Sequence, residues 1–159
     1  MDIDTFITRF ERGLANVTRS TPAEARRRYD QLCQTFAPPN PTGMRITDEP
    51  WEGSVLRHFI PPSAKPGRVM YLHGGGFTLG SVHSHHGIAA SLADRLSRHV
   101  VSLDYCLAPE ADYRDMLEEC LSATRVITPA AIVGDSAGGR LALDVLTRLT
   151  HSVPLGLIY

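Results

Sequence analysis

The sequence predicts an α/β fold, a mostly parallel sheet with helices on both faces, and three observations predict it. From Gly67 to Tyr159, short apolar runs alternate with segments of helical apolar spacing, an order that builds parallel strands joined by helical crossovers. The turn "GDSAGG", residues 134–139, falls between one apolar run and the next helical segment. Three consecutive glycines, Gly74, Gly75 and Gly76, directly follow another run, "RVMYLH".

The elements follow in chain order. "STPAEARRRYDQLCQTF" reads as a helix, capped by Ser20 or Thr21, with Pro22 in the first turn and Glu24 completing a capping-box pattern. "APPNPTG" ends it as a linker, which suggests helices able to move relative to the rest, as a lid does. "MRITDEPWEG" and "SVLRHFI" read as two strands around a Gly-containing turn, closed by "PPSAKPG". "RVMYLH" is the next strand. "SHHGIAASLADRLSRH" places Ile88, Ala89, Leu92, Ala93 and Leu96 on one helical face. "VVSLDY" is a strand and "YRDMLEECLSAT" a helix with Met116, Leu117, Cys120 and Leu121 inward. "PAAIVG" is a strand, and "AGGRLALDVLTRL" a helix burying Leu141, Ala142, Val145, Leu146 and Leu149. "PLGLIY" begins a last strand.

Composition bounds the function. The 159 residues suffice for one domain with a core. Apolar residues make up 43% and charged residues 21%, and sixteen basic against seventeen acidic side chains leave a net charge of −1. That balance offers no electrostatic ground for a nucleic acid or anionic membrane partner. No apolar run approaches the roughly 20 residues of a spanning helix, and "MDIDTFITRFERGL" carries charge throughout, unlike a secretory signal. Cys33, Cys106 and Cys120 are odd in number and widely spaced, so a reduced, cytoplasmic setting is expected and a thiol metal site is not.

The chemistry sits in two glycine-rich turns. Gly134-Asp135-Ser136-Ala137-Gly138 is a G-x-S-x-G pattern between strand and helix, the context of a nucleophile elbow. Small neighbours let strand and helix approach closely, and the Ser136 hydroxyl stands at the positive end of the helix. In "YLHGGGFTLGS", glycines leave backbone N–H groups uncovered and aimed at one point. With Ala137 N–H, those of Gly75 and Gly76 make an oxyanion hole for a tetrahedral intermediate. A phosphate loop is disfavoured, because no Gly-Lys-Ser/Thr follows and the G-x-G-x-x-G spacing is absent.

"HGGGF", "DYCLAPE" and "GDSAGG", in this order, resemble the hormone-sensitive-lipase-like branch of the α/β-hydrolases, near the bacterial acetyl esterases. The resemblance runs from about Met44 to Tyr159 and divides the chain into cap helices with their linker (1–43) and an incomplete hydrolase core (44–159). It implies hydrolysis of carboxylic esters, mostly with short acyl chains, of a small-molecule substrate and without metal or organic cofactor. It implies Ser136 as nucleophile and Gly75, Gly76 and Ala137 as oxyanion donors. His73, Gly74, Gly134, Asp135, Gly138 and Glu110 support the motifs rather than react.

The resemblance also implies an acid and a histidine later in the chain, in the order Ser, Asp, His. Asp144 and His151 occur in that order, but helix rise puts them about 12 Å and 22 Å from Ser136, whereas a base must lie within about 3 Å or one water. They read as a solvated helix face and a helix end. Cys106 stands where the family motif carries Arg, and only the 23 residues 111–133 separate Glu110 from Gly134, where the family has a longer helix and loop. His83, His85 and His86 invite a metal reading or a substitute base, yet adjacent rings point apart on a helix and no acidic ligand is near in sequence. The apolar "GLIY" would leave a raw sheet edge. The expectation is the N-terminal part of a longer esterase, inactive alone because its Asp and His lie beyond Tyr159. The alternatives are a non-catalytic ligand-binding relative, as plant gibberellin receptors are in this family, or a split protein or pseudoenzyme.

Overall fold

The computed structural model describes residues 2–17 and 20–159. Its elements are α1 (Ile3–Val17), α2 (Pro22–Phe36), β1 (Arg45–Trp51), β2 (Ser54–Ile60), β3 (Lys65–Leu72), α3 (His86–Leu96), β4 (Arg98–Leu103), α4 (Tyr113–Ile127), β5 (Ala131–Asp135), α5 (Ala137–Thr147) and β6 (Leu155–Ile158). The six strands form one sheet in the order β1-β2-β4-β3-β5-β6. β4, β3, β5 and β6 run parallel, and the β1–β2 hairpin joins β4 antiparallel. The mixed α/β architecture is therefore the expected one. The hairpin turns at Glu52 (φ 42) and Gly53 (φ 90), the two consecutive positive φ values of a tight turn that matches strand twist.

Strand alternation divides the core into two layers. Val69 and Tyr71 of β3 face α3, packing with Phe59, Val100, Ala89, Ala90 and Ala93. Met70 and Leu72 face the other side, with Leu103, Ile132 and the inward residues of α4 and α5. Helices thus cover both faces because the central strands β3 and β5 bury consecutive apolar residues, at both parities. Residues 111–133 are enough for a 15-residue helix and a parallel connection.

Two local expectations are corrected. Thr21 is the N-cap of α2 but makes no side-chain cap bond, and Glu24 pairs with Arg27 and Arg28; Ser20 hydroxyl donates to Asn16 O. The inward face of α3 is Ala89, Ala90 and Ala93, while Ile88 and Leu96 are exposed. Alanines allow the helix to lie close to the sheet and turn its larger apolar residues outward. The true capping box is on α4, where Asp112 accepts from Arg114 N and Asp115 N and donates its own N–H to Asp115.

Arg26 and Asp30 pin α2 to the core. Arg26 of α2 donates to Thr78 O (3.0 Å) and Ala108 O (2.6 Å) and pairs with Glu110 at 2.5 Å. The linker is held too, by His86 Nε2 at 2.7 Å from Asn40 Oδ1. Arg26→Ala should therefore speed hydrogen exchange of the α2 amides by about tenfold, as losing charge-assisted bonds would. Arg28→Ala, which removes only an exposed pair with Glu24 and a contact to Asn16 O, should leave exchange nearly unchanged. Equal exchange in the two variants would refute the anchor.

Candidate active site

Parallel pairing of β3 with β5 sets Leu72 opposite Gly134, so the turns after both strands emerge at the same end of the sheet. In open α/β sheets this end, beyond the carboxyl ends of neighbouring strands, is where ligands bind. Ser136 lies between β5 and α5 with φ 48 and ψ −118, a strained backbone for a residue with a Cβ, and it is exposed. Its N–H donates to Ile158 O at 3.0 Å and its carbonyl accepts from Gly139 N at 3.0 Å. The strain is held from both sides by backbone hydrogen bonds.

Close packing explains the glycines. A Cβ at Gly138 would overlap the carbonyl oxygens of Leu72 and His73, and one at Gly134 would overlap the carbonyl of Gly138. The first turn of α5 therefore rests directly on the end of β3. Gly74 N–H donates to Asp135 Oδ1 at 2.9 Å, which ties the glycine turn to the elbow across 61 residues. Gly75 (φ 120) and Gly76 (φ 60) follow in a turn closed by Thr78 N and Leu79 N donating to Gly75 O. The N–H groups of Gly75 and Gly76 have no acceptor among the described residues, and Ala137 opens a helix, where N–H groups have no intrahelical partner. Free donors of this kind can stabilise a developing oxyanion.

Asp135 is fixed by three donors: Tyr71 hydroxyl at 2.5 Å, Gly74 N–H, and His85 Nε2 at 3.4 Å from Oδ2. Burial pushes the Asp135 pKa up, but the His85 and Tyr71 bonds outweigh it and hold the carboxylate below its usual range. His85 Nδ1 faces Ser84 Oγ at 2.9 Å. With both ring nitrogens engaged, His85 does not act as a base on Ser136. The other two histidines of the cluster point elsewhere, His83 to Arg57 and His86 to Asn40. Among the described residues no group of three metal-ligating side chains could hold a metal ion.

His73 is wholly buried, stacked on Tyr105 with centroids 4.3 Å apart. Its Nδ1 lies 2.8 Å from Gly74 O, an acceptor, so Nδ1 carries the proton. Tyr105 hydroxyl donates to His73 O at 2.6 Å. Burial, with the nearby His85 ring adding to it, drives the His73 pKa down from 6.5 to about 3. The folded state thus refuses a proton that the unfolded chain accepts below about 6.5, and stability falls as pH drops from there toward 3, by up to about 1.4 kcal/mol per unit. Urea midpoints between pH 7 and 4 should show a shallower slope for His73→Gln. His99, lowered to about 4 chiefly by burial, adds a slope of the same sign to both proteins. Parallel slopes would disprove the assignment.

The apparent partners of Ser136 are elsewhere. Asp144 accepts from Tyr113 hydroxyl (2.6 Å) and Arg140 Nε (2.9 Å), so it is a paired helix residue rather than a merely solvated one. His151 is exposed beyond the end of α5. Among the described residues the Ser136 hydroxyl has no hydrogen-bond partner. Glu110 holds Arg26 rather than the elbow. Sequence reading missed four residues that shape the site: Arg26, Tyr71, His85 as the partner of Asp135, and Asp30, which accepts from Ser81 hydroxyl at 2.6 Å. Arg26, His85 and Asp30 lie outside the glycine motifs and Tyr71 only opens one, and only the fold brings their side chains there.

The alpha/beta hydrolase fold family matches residues 69–158, more than half of the chain. An esterase of Acinetobacter venetianus is 31% identical over 166 residues, covering 94% of this chain and 54% of that protein. An acetyl-hydrolase of Streptomyces hygroscopicus is 30% identical over 141 residues, covering 83% and 46%. The crystal structure of an esterase from the bacterial hormone-sensitive lipase family superposes with a TM-score of 0.78 at 25% identity, covering 95% of this chain and 57% of that one. The chain spans about half the length of these relatives. It belongs to the α/β-hydrolases, on their hormone-sensitive-lipase-like branch.

Proposed function

We propose that the chain carries the nucleophile and oxyanion donors of a carboxylic-ester hydrolase acting on short acyl groups. The observation that carries this reading is the direct contact of the glycine turn with the strained elbow, through Gly74 N–H on Asp135 and Gly138 against β3. Esterase and acetyl-hydrolase relatives support the choice of bond and acyl group. Ser136 Oγ attacks the acyl carbon while its proton passes to a general base. The oxygen of the tetrahedral intermediate is held by the N–H groups of Gly75, Gly76 and Ala137. Collapse expels the alcohol, which takes the proton, and water then releases the acid from the acyl-serine. The base is an imidazole from outside the described residues, as the greater length of the relatives allows. Residues 1–43 act as a cap over the strand ends, anchored by Arg26.

The second reading, a pocket that binds an ester-like ligand without turnover, is favoured by the unpartnered hydroxyl of Ser136. Incubation with p-nitrophenyl acetate, acid quenching and peptide mapping separate the two. An acetyl group on Ser136 supports the hydrolase reading. Labelling confined to other nucleophiles, with Ser136 unmodified even when imidazole is added as the base, rejects it.

A further inference from the structure

A second cavity lies away from the elbow, between the N-terminal helices and the outer side of α3. It is an open cleft of about 510 Å³, within the range of roughly 300–1,000 Å³ usual for small-molecule sites. No residue of the glycine turn (74–80) or of the elbow (134–139) lines it. Its walls are Phe6 and Phe10 of α1, Phe36 of α2, and Ile88 and Leu92 of α3. The three rings form their own cluster, Phe6 meeting Phe36 edge-on at 5.1 Å. The apolar wall is not fully covered: Ile88 on α3 is 40% exposed.

The polarity of this cavity is one-sided. No aspartate or glutamate lines it, and its one permanently charged wall residue is Arg95, in the last turn of α3. Arg95 is exposed and makes no hydrogen bond or ion pair with any described residue. A ligand that fills the aromatic end and reaches Arg95 needs an unbranched apolar body and an anionic head. Guanidinium prefers a planar carboxylate, which it can hold in a two-pronged bond.

We propose that this cavity is a binding site for medium-chain alkyl carboxylates, separate from the Ser136 site, with the chain among Phe6, Phe10, Phe36 and Leu92 and the carboxylate on Arg95. The site touches the elbow indirectly, because His85 lines its inner wall and also holds Asp135. Its occupant belongs to the chemical class that ester hydrolysis releases, but binding itself needs no catalysis. The test is therefore independent of the proposed reaction.

The test titrates the full chain with hexanoate, octanoate and decanoate, each below its micellar concentration, and with decanol and decylammonium as head-group controls. Methyl resonances of Ile88 and Leu92 report occupancy, with Leu141 as a distant reference. Saturable shifts confined to Ile88 and Leu92 are expected, with affinity rising about threefold to fourfold per methylene. Decanoate should bind more tightly than decanol, and Arg95→Gln should erase that difference while keeping the chain-length dependence. An affinity independent of chain length would overturn the proposal. So would an unchanged decanoate-to-decanol ratio in Arg95→Gln, or tighter binding of decylammonium. Sedimentation of the ligand-free chain as a dimer that decanoate does not dissociate would assign the face to a second copy instead.

Discussion

Ser136→Ala is expected to bring hydrolysis of p-nitrophenyl acetate down to what the oxyanion donors alone supply, a residual of about 10³–10⁴-fold over water. The reason is positional. Ser136 is the hydroxyl held in the strained turn at the head of α5 (φ 48, ψ −118), and the turn carrying Gly75 and Gly76 leaves the same end of the sheet. The size of the loss depends on the base. Within residues 2–17 and 20–159 no side chain hydrogen-bonds to the Ser136 hydroxyl, and His85 and Asp144 are committed to other partners. Residues 1–159 alone should therefore turn over close to the level of the Ser136→Ala variant. Where an imidazole is supplied, the gap should open by about 10²–10⁴-fold, the usual size of general-base catalysis. Kinetics of the two chains under identical buffer conditions decide it. Rapid Ser136-dependent turnover by residues 1–159 alone would reveal a base that the structure does not put beside the hydroxyl.

Gly138→Ala should be strongly destabilising. The added methyl enters the carbonyls of Leu72 and His73, backbone atoms of a buried central strand that cannot rotate away. Overpacking of this kind costs about 3 kcal/mol or more, a large part of the roughly 5–15 kcal/mol that keeps a domain folded. Gly139→Ala makes the control one position away. Its methyl meets Leu157 Cδ2 at 3.2 Å and Tyr159 hydroxyl at 3.4 Å, side-chain atoms able to shift, and alanine favours the helix by about 1 kcal/mol. Urea unfolding should show Gly138→Ala strongly destabilised and Gly139→Ala near wild type. Similar midpoints for the two would mean that the elbow does not rest on β3 as described.

Much of the fold is legible without coordinates because it depends on local patterns. Apolar runs at "RVMYLH", "VVSLDY" and "PAAIVG" become β3, β4 and β5, since strands buried on both faces need apolar residues at both parities. Met116, Leu117, Cys120 and Leu121 are inward on α4 as helical spacing requires. The same reasoning fails on α3. Spacing selects the largest apolar residues, Ile88, Leu92 and Leu96, whereas contact with the sheet selects the alanines. Periodicity measures a stripe on a helix, and which edge of that stripe touches the neighbour depends on how closely two backbones approach.

The candidate site divides in the same way. Gly134–Gly138 and Gly74–Gly76 can be recognised in the chain because a strained turn and a fan of free N–H groups each need a short run of small residues. The partners of those turns are not local. Tyr71 and His85 reach Asp135 from β3 and the loop before α3, Tyr105 supports His73 from beyond β4, and Arg26 arrives from α2. Each contact spans from about thirty to more than eighty residues and involves a residue type that also serves as ordinary packing or surface charge. The sequence by itself determined the alternation of strands and helices and the two glycine turns, because these follow from backbone conformation within a few residues. Only the tertiary structure decided which side chains hold the turns together and that His83, His85 and His86 part to different partners. Those outcomes depend on strand order and helix direction, which bring distant residues together and carry near neighbours apart.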